Sequence, residues 1–253
     1  MNKTIGLALS GGGVRGAAHI GLLKYLKEIK IEPSVIAGTS AGAIVGGFYA
    51  AGHDVDTMLT FFKENRLFDF SHFSWMKPGL LDTEGFMEDL KPYFPEDKIE
   101  NLDKKLFITA TEILQGTLKI FEKGSIVKAI LASAAFPGIF SPIKIDHDLY
   151  VDGGTFNNFP SDIIRDKCDF LIGLNANPIN EVSEDQMDGT LNILRRVYEL
   201  SVRRQGAVNE KYCDVVITPG ELVNYNEFNQ NNVDEIFEIG YEEARIKLHD
   251  VEI

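Results

Sequence analysis

Cysteine, histidine and tryptophan are scarce in this chain, at two, five and one copies among 253 residues. Cys168 and Cys213 each precede an aspartate inside an otherwise apolar, strand-like stretch, at no spacing that suits a metal and with no disulfide framework. They read as small buried hydrophobes in a protein kept under reducing conditions. Positive charge is short too: 25 Lys and Arg stand against 38 Asp and Glu, a formal net charge of -13. That balance disfavours nucleic acid as a partner and weakens long-range attraction to anionic lipid, so any membrane contact must be local and transient. A secretory leader is not expected, because the apolar run before the first glycines is too short for one, and the expected location is the cytoplasm. Repeats and low-complexity segments are missing as well.

One uncharged stretch, residues 34–52, reaches the length of a membrane span. It is dominated by Gly and Ala and begins as a strand and turn, so a tightly packed internal helix is expected instead. At 44% hydrophobic and 25% charged residues the composition is that of a soluble globular protein, and the length fits a single α/β domain over residues 1–253.

The start of the chain alternates in a telling order. An apolar strand over residues 4–9 runs into Ser10-Gly11-Gly12-Gly13-Val14-Arg15-Gly16, then into a helix with Ile20, Leu22, Leu23, Leu26 and Ile29 on one side, then into a second apolar strand at Val35. This predicts a right-handed βαβ unit, with parallel strands and helices covering the sheet. From residue 53 to about 105 the pattern changes: Phe61, Phe62, Phe68, Phe70, Phe73, Trp75, Phe86, Tyr93 and Phe94 crowd between acids and prolines. A mostly helical, aromatic insertion over the sheet is expected there, either as walls for an apolar substrate chain or as ordinary core. Further strands are predicted at 106–111 and 117–121 about a Gln115-Gly116 turn, at 143–151 about a turn near His147-Asp148, and at 170–174 and 214–218. Helices are predicted at 125–133, 191–208 and 233–248, and the acidic run 181–188 as a solvated loop.

The chemistry concentrates where the second strand ends, in Gly38-Thr39-Ser40-Ala41-Gly42. A G-x-S-x-G at a strand-to-helix reversal forces its serine into a strained, exposed position, with glycines on either side leaving room for the turn. Ser40 is the candidate nucleophile. Acyl transfer also needs donors for the oxyanion, and the backbone amides of Gly11, Gly12 and Gly13, at the start of a helix, suit that role, with Arg15 adding positive charge. Gly11, Gly13 and Gly16 also satisfy G-x-G-x-x-G, but a dinucleotide site would need a carboxylate ending the second strand, where Gly38-Thr39-Ser40 stands instead. No cofactor or metal is expected. For the base, His19, His53, His72, His147 and His249 have no evident orienting partner, whereas Asp152 in Tyr150-Val151-Asp152-Gly153-Gly154 is an acid at a strand end followed by glycines that permit close approach.

These motifs, in this order, resemble the patatin-like phospholipase family: the glycine loop 11–16, the nucleophile motif 38–42, the block Ser133-Ala134-Ala135-Phe136-Pro137-Gly138-Ile139-Phe140-Ser141-Pro142, and Asp152-Gly153-Gly154. The resemblance implies a three-layer α/β sandwich with a mostly parallel central sheet. It implies hydrolysis of lipid acyl esters through a Ser40–Asp152 dyad, with Gly11 to Gly13 as the oxyanion hole and Gly38, Gly42, Gly153 and Arg15 in support. Two other readings compete: an α/β-hydrolase triad with His249 as base, and a regulatory or lipid-binding module with little turnover. Arg195, Arg196, Arg203 and Arg204 could face lipid headgroups, although Glu199 is spaced to pair with Arg195 and Arg203 along a helix face.

Overall fold

The computed structural model describes residues 3–65, 83–179, 181–227 and 229–251. Its central sheet has eight strands: β1 (Ile5–Leu9), β2 (Val35–Thr39), β3 (Lys105–Glu112), β4 (Thr117–Phe121), β5 (Ile143–Ile145), β6 (Asp148–Asp152), β7 (Phe170–Leu174) and β8 (Val215–Ile217). The order is β5-β6-β3-β2-β1-β7-β8, with β4 also paired to β3. The five central strands β3, β2, β1, β7 and β8 are parallel, and β4, β5 and β6 add antiparallel pairs at one end.

Parallel strands joined by crossovers bury both faces, so they read as continuous apolar runs. All five residues of β1 and of β2 are buried. Alternate side chains enter two cores: Leu7, Leu9 and Ile36 join the larger one, and Ala8, Val35 and Ala37 the smaller. The larger core is closed by α1 (Ala17–Glu28), α2 (Ala41–Ala50), α5 (Ile126–Ala134) and α9 (Val233–Leu248), through Ile20, Phe48, Ile130 and Ile236 among others. Across the sheet, Phe159 and, from α7 (Ser161–Ile164), Ile164 cover the smaller core. The architecture is the expected three-layer sandwich.

The uncharged stretch behaves as expected: all but one residue of α2 are buried, and no helix among the described residues is long and apolar enough to cross a membrane. The described part of the aromatic insertion is helical, with α3 (Val55–Glu64) and α4 (Thr83–Leu90). Its rings are core: Phe61 and Tyr93 each stack 4.8 Å from Phe48, Phe94 lies 5.3 Å from it, and Phe61, Phe62, Phe86 and Phe94 are buried. Phe68, Phe70, Phe73 and Trp75 lie outside the described residues. The acidic run is not wholly loop, because Ser183 and Gln186 form a capping box that starts a 3-10 turn, Glu184–Met187. Two short helices, α6 (Gly154–Asn157) and α7, were not anticipated, being too brief to show a periodicity. Between them and β8 lies α8 (Thr190–Asn209).

Candidate active site

Strand register explains how residues 112 apart in sequence meet. Thr109 of β3 pairs with Thr39 of β2 on one edge and Ile120 of β4 on the other, while the next residue, Ala110, pairs with Lys119 of β4 and Asp152 of β6. Since β4 pairs with β3 from Ile108 to Glu112, alongside the end of β2 and the whole of the β6 pairing, β2 and β6 share the opposite edge and run toward each other. Their ends, Thr39 and Asp152, face adjacent residues of β3, and the chain turns off into a helix at each.

At the first turn, Ser40 caps α2 with φ 53° and ψ −120°. A non-glycine residue there carries strain of roughly 1–3 kcal/mol, which the surroundings must over-determine. They do. A Cβ on Gly38 would lie 2.3 Å from the Gly42 carbonyl oxygen, and one on Gly42 would lie 2.2 Å from that of Leu9, so both flanking positions admit only glycine. The Ser40 N–H donates to Ser133 Oγ at 2.8 Å. Below it the Thr39 hydroxyl contacts that of Thr109 at 2.5 Å and donates to the Asn157 carbonyl at 2.8 Å.

At the second turn, the Asp152 N–H donates to the Ala135 carbonyl at 2.9 Å, the Gly153 N–H to that of Ser133 at 3.3 Å, and the Thr111 hydroxyl to the Asp152 carbonyl at 2.9 Å. Gly153 is also a close approach, since a Cβ there would meet the Thr109 carbonyl at 2.4 Å. Asp152 is 3% exposed; its carboxylate accepts from the Gly154 N–H at 2.7 Å and lies near the Ser40 hydroxyl. Burial pushes its pKa up to about 6, against the lowering effect of the nearby Ser40 hydroxyl and the Gly154 N–H. Ser133 therefore ties both turns together, its hydroxyl holding the backbone of Ser40 and its carbonyl that of Gly153. Sequence reading had placed it only within a motif block.

The glycine loop departs from expectation at its first position. The Gly11 N–H donates to the Asn158 carbonyl at 3.0 Å, which removes it from the set of three free donors. The amides of Gly12 and Gly13 have no acceptor among the described residues, and both glycines are partly exposed. Their direction is set from behind. The Gly11 carbonyl accepts from Ser10 Oγ at 2.8 Å and Asn177 Nδ2 at 2.7 Å, and in a planar trans peptide the Gly12 N–H must point the opposite way. Gly13 takes φ 56°, and the Glu227 carbonyl stands 2.3 Å from where its Cβ would be, so only glycine fits there. Arg15 is not an open charge: it pairs with Glu227 at 2.9 Å and donates to the Tyr225 carbonyl at 2.9 Å, pinning the loop to residues 225–227.

The histidines stand elsewhere or are engaged. His19 is fully buried under the loop with Nε2 on the Ser10 carbonyl at 2.8 Å, and burial lowers its pKa to about 4. His53 contacts the Tyr93 carbonyl, His147 is exposed in the turn between β5 and β6, and His249 caps α9 with its side chain 71% exposed beside Asp250. His72 lies outside the described residues. Both cysteines are free and half-buried, and burial raises both thiols, Cys213 to about 12, which leaves them unreactive. No group of three or more His, Cys, Asp and Glu able to hold a metal occurs among the described residues.

Two side chains at the site escaped the sequence reading. Tyr198 of α8 sits edge-on to Phe136, and its hydroxyl lies 3.3 Å from where a Cβ on Gly154 would be; burial and the Asp152 charge raise its pKa. Asn158 is 4% exposed beside Gly11 and Gly154. Along α8, Arg196 pairs with Glu199 at 3.5 Å, Arg204 is exposed, and Arg203 donates to the Asn177 carbonyl, so Arg203 supports the loop rather than a solvent-facing ladder.

A parallel α/β sheet carrying a strained serine at one strand end and a buried carboxylate at the facing one places the protein among α/β folds that turn sharply from strand to helix at a serine. The comparisons then specify it. The family model of patatin-like phospholipases matches residues 7–164, and the chain belongs to that family. A patatin-like phospholipase domain-containing protein of Caenorhabditis elegans is 30% identical over 212 residues, 77% of this chain and 15% of that protein. An uncharacterized NTE family protein of Mycobacterium bovis is 33% identical over 191 residues, 68% of this chain and 49% of the relative. The chain thus spans half or less of the length of these relatives. Among solved structures, VipD of Legionella pneumophila superposes with a TM-score of 0.59 at 14% identity, covering 98% of this chain and 67% of that one. The type III effector protein ExoU gives 0.51 at 14% identity, covering 98% and 53%. At that identity the two structures show the fold alone.

Proposed function

We propose that this chain is a serine acyl hydrolase that cleaves carboxylic esters of lipids, of phospholipase A or lysophospholipase type, through Ser40 and Asp152. The observation that carries the reading is the meeting of the ends of β2 and β6 on one edge of β3, which brings the buried Asp152 carboxylate near the Ser40 side chain. Ser40 Oγ attacks the ester carbonyl carbon while its proton passes to Asp152. The oxyanion that forms is held by the Gly12 and Gly13 amides, donors oriented before the reaction begins. Collapse breaks the ester C–O bond, the leaving alcohol takes the proton from Asp152, and the acyl group stays on Ser40. Asp152 then accepts a proton from water, the resulting hydroxyl displaces Ser40, and the proton returns to the serine.

An aspartate in water, with a pKa near 3.9, would be a weak base for this work; burial moves Asp152 toward the useful range. A histidine is not needed in this scheme. Incubation with a fluorophosphonate probe tests the reading: covalent labelling at Ser40, lost in Ser40→Ala, is expected, and an unlabelled parent protein overturns it in favour of a binding module.

A transient contact with a lipid surface belongs to the same reading. The helix α8, which carries Tyr198 to the site, also presents Ile193, Leu194, Val197 and Leu200 at 42–59% exposure. An amphipathic face of this kind binds in the headgroup region by its apolar area rather than by net charge. Sedimentation with neutral phosphatidylcholine vesicles is expected to carry down the parent protein and to leave Leu194→Asp/Val197→Asp in solution; equal binding removes the contact.

A further inference from the structure

The loop that was expected to supply three amides to an oxyanion supplies two, because the Gly11 N–H is taken by the Asn158 carbonyl at 3.0 Å. The residue that takes it brings a donor of its own. The Asn158 carboxamide lies against Gly11, with Oδ1 2.4 Å from the position a Cβ on Gly11 would occupy, and that same position is 3.2 Å from Ser40 Cβ. On its other side Oδ1 lies 2.8 Å from the Cβ position of Gly154, which has Asp152 Oδ1 at 3.0 Å. The side chain therefore occupies the space where the glycine loop, the serine turn and the acid turn converge. It is 4% exposed, yet Nδ2 has no hydrogen-bond partner.

A buried amide nitrogen without an acceptor is costly, and of the five buried side-chain atoms without a partner among the described residues this is the one whose side chain stands against both Gly11 and Gly154. Neighbouring asparagines show the contrast, since Nδ2 of Asn157 donates to Asp162 and Nδ2 of Asn177 to the Gly11 carbonyl. What arrives at this spot during acyl transfer is an oxygen that gains negative charge. We infer that the Asn158 side chain is a third oxyanion donor, its Nδ2–H bonding the substrate carbonyl oxygen as that oxygen becomes tetrahedral. No bond to Asn158 forms or breaks; the N–H stays on nitrogen throughout. The inference rests on the acyl-hydrolase reading and adds a residue that the glycine motif does not contain. Because the backbone carbonyl of Asn158 holds Gly11 whatever the side chain, substitution at this position isolates the carboxamide.

The test compares the parent with Asn158→Ala and Asn158→Leu, the latter keeping the branched outline without a donor. With p-nitrophenyl butyrate, kcat is expected to fall roughly 10²–10³-fold in both, the loss typical of one oxyanion donor, with KM changed less than threefold. The acid limb of the pH–rate profile is expected to stay where it is in the parent. Melting temperatures are expected to hold or rise, since the variants remove an unsatisfied polar group. Parental kcat in either variant overturns the inference. So does an acid limb displaced by a full pH unit in Asn158→Ala, which would make the carboxamide a partner of Asp152 instead, and so does a melting temperature lowered by several degrees in both variants, which would make it structural. Absence of fluorophosphonate labelling in the parent marks failure of the underlying reading, and labelled parent with fully active variants marks failure of this one.

Discussion

The two strand-end turns that make the site differ in where they hold their strain. At Ser40 the strain is in the backbone, at φ 53°, locked by glycine-only contacts on both sides and backed by a ten-residue helix that is almost wholly buried. At Asp152 the backbone is relaxed, with Gly153 in the ordinary helical region and a helix of only four residues following; the stress there is electrostatic, a carboxylate at 3% exposure. A nucleophile needs a direction, which backbone geometry provides, whereas a base needs a proton affinity, which desolvation provides.

Removing the electrostatic half is the harshest way to break this contrast. Asp152→Asn is expected to lower kcat by at least about 10³-fold, the upper part of the range for a general base, while leaving the fold intact. The same variant sharpens the comparison through stability. Folding raises the Asp152 pKa from its ordinary 3.8 to about 6, so between those values the folded state binds the extra proton and stability falls as pH rises. Above that window the buried charge costs up to about 3 kcal/mol, given 1.36 kcal/mol per pKa unit. Asp152→Asn is thus expected to be more stable than the parent in urea at pH 8 and to lose that advantage below about pH 4. In the parent, kcat/KM is expected to rise with pH and level off above about 6. A flat profile between pH 4 and 8 would remove Asp152 as the base.

The backbone half is weakened more gently. Ser133→Ala deletes the acceptor for the Ser40 N–H but leaves the carbonyl that holds Gly153. A loss of about 1–2 kcal/mol in stability and about tenfold in kcat is expected, read from urea melts and steady-state rates. If kcat is unchanged, the two glycine contacts alone suffice to hold the nucleophile. The smallest effect belongs outside both turns: His249→Ala is expected to keep hydrolysis within twofold, and a loss of several orders would restore the triad reading.

Most of the strands and long helices were legible, because apolar runs and 3.6-residue periodicity are local signals. The helix 233–248 matches α9 residue for residue, and the strand 117–121 matches β4. The strained turn at Ser40 was legible for the same reason, its glycines standing two positions from the serine. What was misread depended on who sits nearby in space. Three equivalent amides were expected from three glycines, and only the packing of residue 158 against the loop shows that the first is engaged. Arg15 looked like free positive charge until Glu227, far along the chain, met it. Glu199 seemed placed to pair with Arg203, which turns instead to the Asn177 carbonyl.

By itself, the order of residues determined the layered α/β architecture, the strained serine and the candidate acid, since each follows from periodicity or from residues a few positions apart. Only the tertiary structure decided that β2 and β6 share an edge of β3, that Asp152 is buried enough to hold its proton to about pH 6, and that Asn158 stands unsatisfied beside Ser40. Register, desolvation and unmet hydrogen bonds are properties of neighbours brought together by folding, and neighbours far apart in the chain leave no local pattern to read.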